Sequence, residues 1–157
     1  MTDESQSAGG NQTEFLKDKD SSILAENAPK DSLRIIAGAD DVENMSKKLE
    51  PVIAEALKTL PNAKKRYLKG LQQGEHFYLT INLKEGKITE RVFIYVMQWK
   101  ANSLGGKISN EIAGLKTYKN GQVILFKESD IVDWTITKPD GSEEGNYIGK
   151  FTDAGNL

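Results

Sequence analysis

The hydrophobic period of this chain changes once, at Gly74, and that single change limits the fold more than any other feature. Before it, Val42, Met45, Leu49, Val52, Ile53, Ala56, Leu57 and Leu60 recur at steps of three and four. That spacing draws one buried stripe along a helix. Asp40 or Asp41 suits its cap. Pro51 reads as a kink, or as the first turn of a second helix; Pro61 reads as opening a short helix through Tyr67 and Leu68 that Gly70 ends. After Gly74, Phe77, Leu79, Ile81 and Leu83 alternate with His76, Tyr78, Thr80 and Asn82, which predicts a strand with one buried face.

The remaining segments continue as strands. Residues 84–87 form a hairpin turn, and 88–100 a long partner strand, apolar on both faces near residues 92–97. Gly105-Gly106 marks a turn or bulge, followed by a short strand over 107–110 and an irregular stretch over 111–119. Asn120-Gly121 is a tight-turn dipeptide leading into a strand at 122–126. Strands are further expected at 130–137 and 146–151, with a turn at 139–142 between them. Helices first and antiparallel strands afterwards make an α+β pattern. The expected architecture is N-terminal helices packed on a bent antiparallel sheet of five or six strands, curved toward a small barrel.

With 157 residues, one domain is expected. It should span 35–157, behind an acidic, mostly disordered tail at 1–34. The net charge of −2 hides a split: residues 1–41 hold nine acids and four bases, net −5, whereas 42–157 hold fourteen acids and seventeen bases, net +3. The tail carries only scattered apolar residues, too few to offset its ordering entropy. A sharper alternative has Phe15-Leu16 and Ile23-Leu24 docking on the domain or on a partner. The chain opens on an acidic, polar stretch with no leader-like apolar run, and no apolar stretch is long enough to span a membrane, so the cytoplasm is the expected location.

Composition excludes much chemistry. With no cysteine there is no disulfide scaffold, thiolate metal site or cysteine nucleophile, and with His76 the lone histidine no cluster of imidazoles. No phosphate loop, dinucleotide fingerprint or metalloprotease helix motif occurs, so no cofactor and no metal are expected. No catalytic residue is assigned. Three constellations remain. Glu128, Asp130 and Asp133 cluster around Trp134, as an acid pair for metal or proton chemistry would. Yet Asp130 and Asp133 differ by three, which sends them to opposite faces of a strand. The preferred reading has Asp130 ending a turn, Asp133 binding nearby backbone and Trp134 filling the core or a groove. Lys58, Lys64, Lys65, Arg66 and Lys69, with Tyr67 among them, form a basic run able to grip phosphates. A sequence pI near 5.5 argues against a dedicated nucleic-acid binder, whose pI is often above about 9. A solvated helix face that also pairs with the acidic tail is preferred. Finally, Phe93, Tyr95, Met97 and Trp99 share one register of the long strand, and Val92, Ile94 and Val96 the other. Coverage of both faces by the N-terminal helices is the simpler reading. Otherwise Tyr95, Met97 and Trp99 form a recognition surface.

The order of several segments is also distinctive. Ala54-Glu-Ala-Leu-Lys-Thr-Leu-Pro61, the strand over 77–83, Gly106-Lys-Ile-Ser-Asn110, Asn120-Gly121-Gln122, Ile131-Val-Asp-Trp134, Asp140-Gly141 and Gly145-Asn-Tyr147 together resemble the bacterial family catalogued as domain of unknown function 2314. The likeness runs over roughly residues 35–151, with the Ile131 to Trp134 segment its most specific element. In place of the Glu-His and aromatic pair frequent in that family, this chain has Glu90-Arg-Val-Phe93. The resemblance implies fold and extent and attaches no activity. The expected function is a small cytosolic protein-binding module, similar to immunity proteins that neutralise a protein partner. Weak nucleic-acid binding through 58–69 is the second expectation, and metal-assisted or acid–base hydrolysis through Asp133, with or without His76, the third.

Overall fold

The computed structural model describes residues 35–37 and 39–155. The expected tail at 1–34, with its Phe15-Leu16 and Ile23-Leu24 pairs, lies outside the described residues. The elements are β1 (Ile35–Ala37), α1 (Ala39–Lys69), β2 (His76–Glu85), β3 (Ile88–Lys100), β4 (Ser103–Ile108), β5 (Val123–Lys127), a 3-10 turn (Glu128–Asp130), β6 (Ile131–Thr137), β7 (Glu143–Gly145) and α2 (Tyr147–Asp153). Among the described residues all strand pairs are antiparallel, in the order β5-β4-β3-β2-β6-β7, and β1 lies beside the start of β3 at Ile88, Thr89 and Glu90. The architecture is α+β, as expected. Its sheet is open rather than barrel-closed, since β5 and β7 end the order without pairing to one another.

One helix of 31 residues replaces the interrupted helices expected at Pro51 and Pro61. Each proline removes one N–H and so leaves the carbonyl four residues earlier, at Lys47 and Leu57, without its helical donor. Both prolines and both of those residues are exposed, so water can serve the freed carbonyls. The opposite stripe, Leu49, Ala56, Leu60 and Ala63, is buried. Leu60 and Ala63 share one core cluster with Phe77, Leu79, Ile81, Val92, Ile94, Val96, Trp134 and Ile136, the dry face that the alternation of β2 implied. Burying a side chain of this size contributes about 1.5–3 kcal/mol, so this layer supplies most of the cohesion.

Of the turn or bulge expected at Gly105 and Gly106, the structure has the bulge: both lie inside β4, opposite the register shift between Val96 and Gln98 of β3. A Cβ on Gly106 would collide with Ile94 and with the Tyr95 carbonyl, so the close approach of β4 to β3 requires glycine there. The last expected strand, at 146–151, is instead the helix α2. Asn146 takes a left-handed conformation, φ 51°, which turns the chain off β7 and starts the helical turn. The irregular stretch 111–119 is held in place from below. The buried Glu90 carboxylate accepts hydrogen bonds from the N–H groups of Ala113 (2.8 Å), Gly114 (2.8 Å) and Leu115 (3.2 Å), and Glu85 accepts from Lys116 (2.7 Å). Leu115 thereby closes one end of the core.

Candidate functional site

Two bulges decide where the expected site residues point. On β3, Val96 pairs with Gly106 and Gln98 with Gly105, so Met97 is an extra residue. An extra residue reverses the in–out alternation beyond it. Trp99 therefore joins Val92, Ile94 and Val96 on the helix side rather than sharing a register with Tyr95 and Met97, and is only 6% exposed. Its ring lies near Tyr67 (6.0 Å) and Phe77 (6.1 Å). Its indole N–H donates to Glu128 Oε2 at 2.8 Å, and Lys64 Nζ donates to the same oxygen at 2.7 Å while standing 5.2 Å over the Trp99 ring. The Lys64 hydrogen bond, then that of Trp99, hold the Glu128 carboxyl below its usual range. Trp99 is thus an internal strut and not part of an exposed recognition surface with Tyr95 and Met97, which are half-buried. Glu128→Gln keeps the shape and weakens both hydrogen bonds, and at a half-buried site its expected cost is about 1 kcal/mol in chemical denaturation.

Lys64 is one member of the basic run, and Arg66 is another with carboxylate partners. Arg66 forms a two-point bond to Glu144 (2.8 and 3.0 Å) and lies 3.8 Å from Glu75, while Lys138 binds Glu144 from the other side at 2.8 Å. Between these two cations the Glu144 carboxyl is pushed down to about 2. Lys58 stands 3.7 Å from Glu55, and Lys65 and Lys69 are exposed. The five bases do not act as one stripe, because Lys64 and Arg66 turn toward acids delivered by other elements.

On β6 the second bulge falls at Val132, where Thr80 pairs with Asp133 and Ile81 with Ile131. Ile131 and Trp134 both face the core, and Asp133 points away from it, fully buried. Asp133 Oδ1 accepts from its own neighbour Trp134 N–H and Oδ2 from Ile148 N–H, both at 2.8 Å. Burial pushes its carboxyl up to about 6, against the opposing pull of the Ile148, Trp134 and Tyr147 N–H groups and the charge of Arg91. A carboxylate this committed to backbone donors pins α2 to β6 and has no face open to a substrate. Asp130 Oδ2 accepts from Lys127 N–H at 2.9 Å and closes the turn before β6, so the two aspartates do not meet in a pocket. Trp134 Nε1 donates to Thr59 Oγ1 at 2.9 Å, and Tyr147 Oη lies 2.8 Å from the same oxygen. That hydroxyl ties α1, β6 and α2 together beneath a cleft of about 430 Å³ lined by Arg66, Glu143, Glu144 and Lys150 as well. Among the described residues, no group of three or more histidine, cysteine, aspartate or glutamate side chains is placed to hold a metal.

The exposed apolar surface lies elsewhere. On β5, Ile124 and Phe126 pack into the core while Val123 and Leu125 face out, 46% and 85% exposed. Leu125 lies over Gly105 of β4. Among the described residues, β5 pairs along one side only, so its outer edge offers N–H and C=O groups beside two exposed aliphatic side chains. Sequence reasoning took 122–126 as an ordinary strand and missed this edge. The signal available was its all-apolar run, Val123 to Phe126, too apolar for a strand with one wet face. Also missed were Glu90, Arg91 and Lys107, all buried.

A family model described as an uncharacterized protein conserved in bacteria (DUF2314) matches residues 42–153. The chain belongs to this family. The match takes in all of α1 but its first three residues, the full path of the sheet from β2 to β7, and α2, and with them the Ile131 to Trp134 segment whose aspartate and tryptophan lock the two helices to the sheet. The DUF2314 chain has no match among curated proteins and none among solved structures. Among the described residues, no helix is long and apolar enough to cross a membrane.

Proposed function

We propose that this DUF2314 protein is a small cytoplasmic protein-binding module, of the immunity kind that neutralises a protein partner, and that it engages the partner along β5. The observation that carries this reading is the exposure of Leu125 and Val123 on a sheet edge that no described strand covers. Natural proteins usually blunt such edges, because an open edge recruits further chains. Here the edge is left apolar in the middle, with Lys127 beyond it. A partner strand added there would gain main-chain hydrogen bonds and cover Leu125, worth about 2 kcal/mol in apolar burial. The nucleic-acid and hydrolase readings have less behind them: Lys64 and Arg66 are engaged by glutamates, and Asp133 by backbone.

Leu125→Asp tests the reading, since a residue this exposed can be changed with little effect on the fold. The parent is expected to retain a specific protein on affinity capture from its native cell, with the variant losing it at unchanged Tm. Equal capture by both, or salt-sensitive oligonucleotide retention by the parent in place of a protein, sinks the β5 reading. A parent dimer that Leu125→Asp turns into a monomer assigns the edge to self-association instead.

A further inference from the structure

The cleft over Thr59 is formed by α1, α2 and the last two strands, and none of its lining residues belongs to β5. Its volume, about 430 Å³, falls in the range of small-ligand pockets. The floor is aromatic. Trp134 meets Tyr147 edge-on, with ring centres 6.2 Å apart. A Cβ on Gly145 would stand 2.7 Å from the indole Cε3, so glycine at that position leaves the ring uncovered. Thr59 sits between the two rings. Its hydroxyl lies 3.1 Å from the Ala56 carbonyl and gives its single hydrogen there, while its oxygen accepts from Trp134 Nε1 (2.9 Å) and from Tyr147 Oη (2.8 Å). Tyr147 has then used its own hydrogen, and Oη can only accept from anything further.

The charges on the walls balance, Arg66 and Lys150 against Glu143 and Glu144. Arg66 is committed to Glu144, which Lys138 also holds. Two charges are left over. Among the described residues Lys150 of α2 makes no ion pair, and Glu143 of β7 pairs with no cation, its Oε1 accepting the Asn146 amide at 2.9 Å. Asn62, exposed on α1, makes no side-chain hydrogen bond among them either. A ligand of net negative charge would meet two glutamates in this cleft, and one of net positive charge would meet Arg66 and Lys150. A ligand with one charge of each sign avoids both penalties. We propose that the cleft binds a small zwitterion, with its carboxylate on Lys150 and Asn62 and its ammonium among Glu143, Tyr147 Oη and the Trp134 ring. Lys150 and the Asn62 amide supply the donors that a carboxylate needs. Glu143 and Tyr147 supply only acceptors, as an ammonium needs, and an aromatic face attracts a cation. An ω-amino acid and a short peptide with free termini share this chemistry.

The test reads the indole N–H resonances of the full chain, one from each of its two tryptophans. 6-Aminohexanoate is expected to shift the Trp134 resonance in a saturable titration, with Kd about 1–10 mM, and to leave that of Trp99, bonded to Glu128 outside the cleft, in place. Adipate and 1,6-diaminohexane have the same length and two like charges, and each is expected to bind at least about tenfold more weakly. Lys150→Ala and Glu143→Gln are each expected to weaken 6-aminohexanoate about fivefold at unchanged Tm. Triglycine separates the two sources: tighter binding than that of 6-aminohexanoate assigns the ligand as a peptide, and weaker binding as an ω-amino acid. No Trp134 shift with either zwitterion up to about 100 mM overturns the proposal. So does a shift shared equally by Trp99, binding of adipate or 1,6-diaminohexane as tight as that of the zwitterion, or a Lys150→Ala titration that matches the parent's.

Discussion

Replacing Glu90 by alanine is expected to lower the unfolding midpoint by about 10 °C or more, the largest loss from any single carboxylate in this fold. Its two oxygens take the N–H groups of Ala113, Gly114 and Leu115, and the residue is 3% exposed, so water cannot replace the lost acceptor without opening the loop. Each buried N–H left unserved costs about 1–3 kcal/mol. Leu115 would also lose its seat in the core. Glu90→Gln separates the two contributions, because it preserves one acceptor oxygen and the packing while presenting an amide N–H₂ to a cluster of donors. Its midpoint should fall between those of the parent and of Glu90→Ala. A Glu90→Ala protein that melts within about 2 °C of the parent would mean the 111–119 loop is held by something other than this carboxylate.

Glu90 also shows why part of this fold was legible in the sequence and part was not. Alternation over 77–83 gave the right strand and the right dry face, because a period of two survives wherever pairing is regular. It failed past Met97 and Val132, where one extra residue reversed the sides. Trp99 was grouped with Tyr95 for that reason, although it packs on Tyr67 and Phe77. Gly105-Gly106, expected to mark a turn or bulge, stand opposite the first of these bulges, and nothing in the local composition marks the second. The helix stripe was legible, and its continuity through Pro51 and Pro61 was not, since whether proline breaks a helix depends on whether the freed carbonyl meets water or core. At 146–151 a short apolar segment fits strand or helix equally. The choice was made by the turn at Asn146 and by Asp133, thirteen residues earlier than Asn146.

The candidate site was less legible than the fold, and for a physical reason. Clusters of charge along the chain say little about pairing across it. Lys64 and Arg66 looked like one patch from spacing, and their carboxylates arrive from Glu128 and Glu144, more than sixty residues away. Leu125 sits in an all-apolar run and is surface because β5 ends the sheet among the described residues. By contrast the turn role of Asp130 and the backbone role of Asp133, both preferred on spacing, agree with where the structure puts them.

Asp133→Asn is expected to destabilise the protein more at pH 4.5 than at pH 7.5, an order opposite to that of a carboxylate stabilised by a salt bridge. The Asp133 carboxyl titrates at about 6 in the fold against 3.8 when unhindered, because burial disfavours its charge more than the backbone donors and Arg91 favour it. Between those two values the folded state holds a proton that the unfolded state has lost. Stability from this group therefore falls as pH rises through that window, by up to about 3 kcal/mol, and levels off above pH 6. Asparagine cannot titrate, so subtracting its stability curve from that of the parent isolates the Asp133 contribution from every other ionising group. Across this range the parent's advantage should be largest at pH 4.5 and shrink by about 2 kcal/mol on the way to neutrality. Asparagine also puts an N–H₂ where one of two backbone donors now points, at Trp134 or Ile148, so some loss persists at every pH. A difference that stays flat from pH 4.5 to 7.5 would show that Asp133 keeps an ordinary carboxylate affinity, the backbone donors and Arg91 balancing the cost of burial. A difference that grows with pH would show the backbone donors outweighing desolvation, and would make this aspartate a stabilising anion at neutrality rather than a charge the fold tolerates in order to fasten α2.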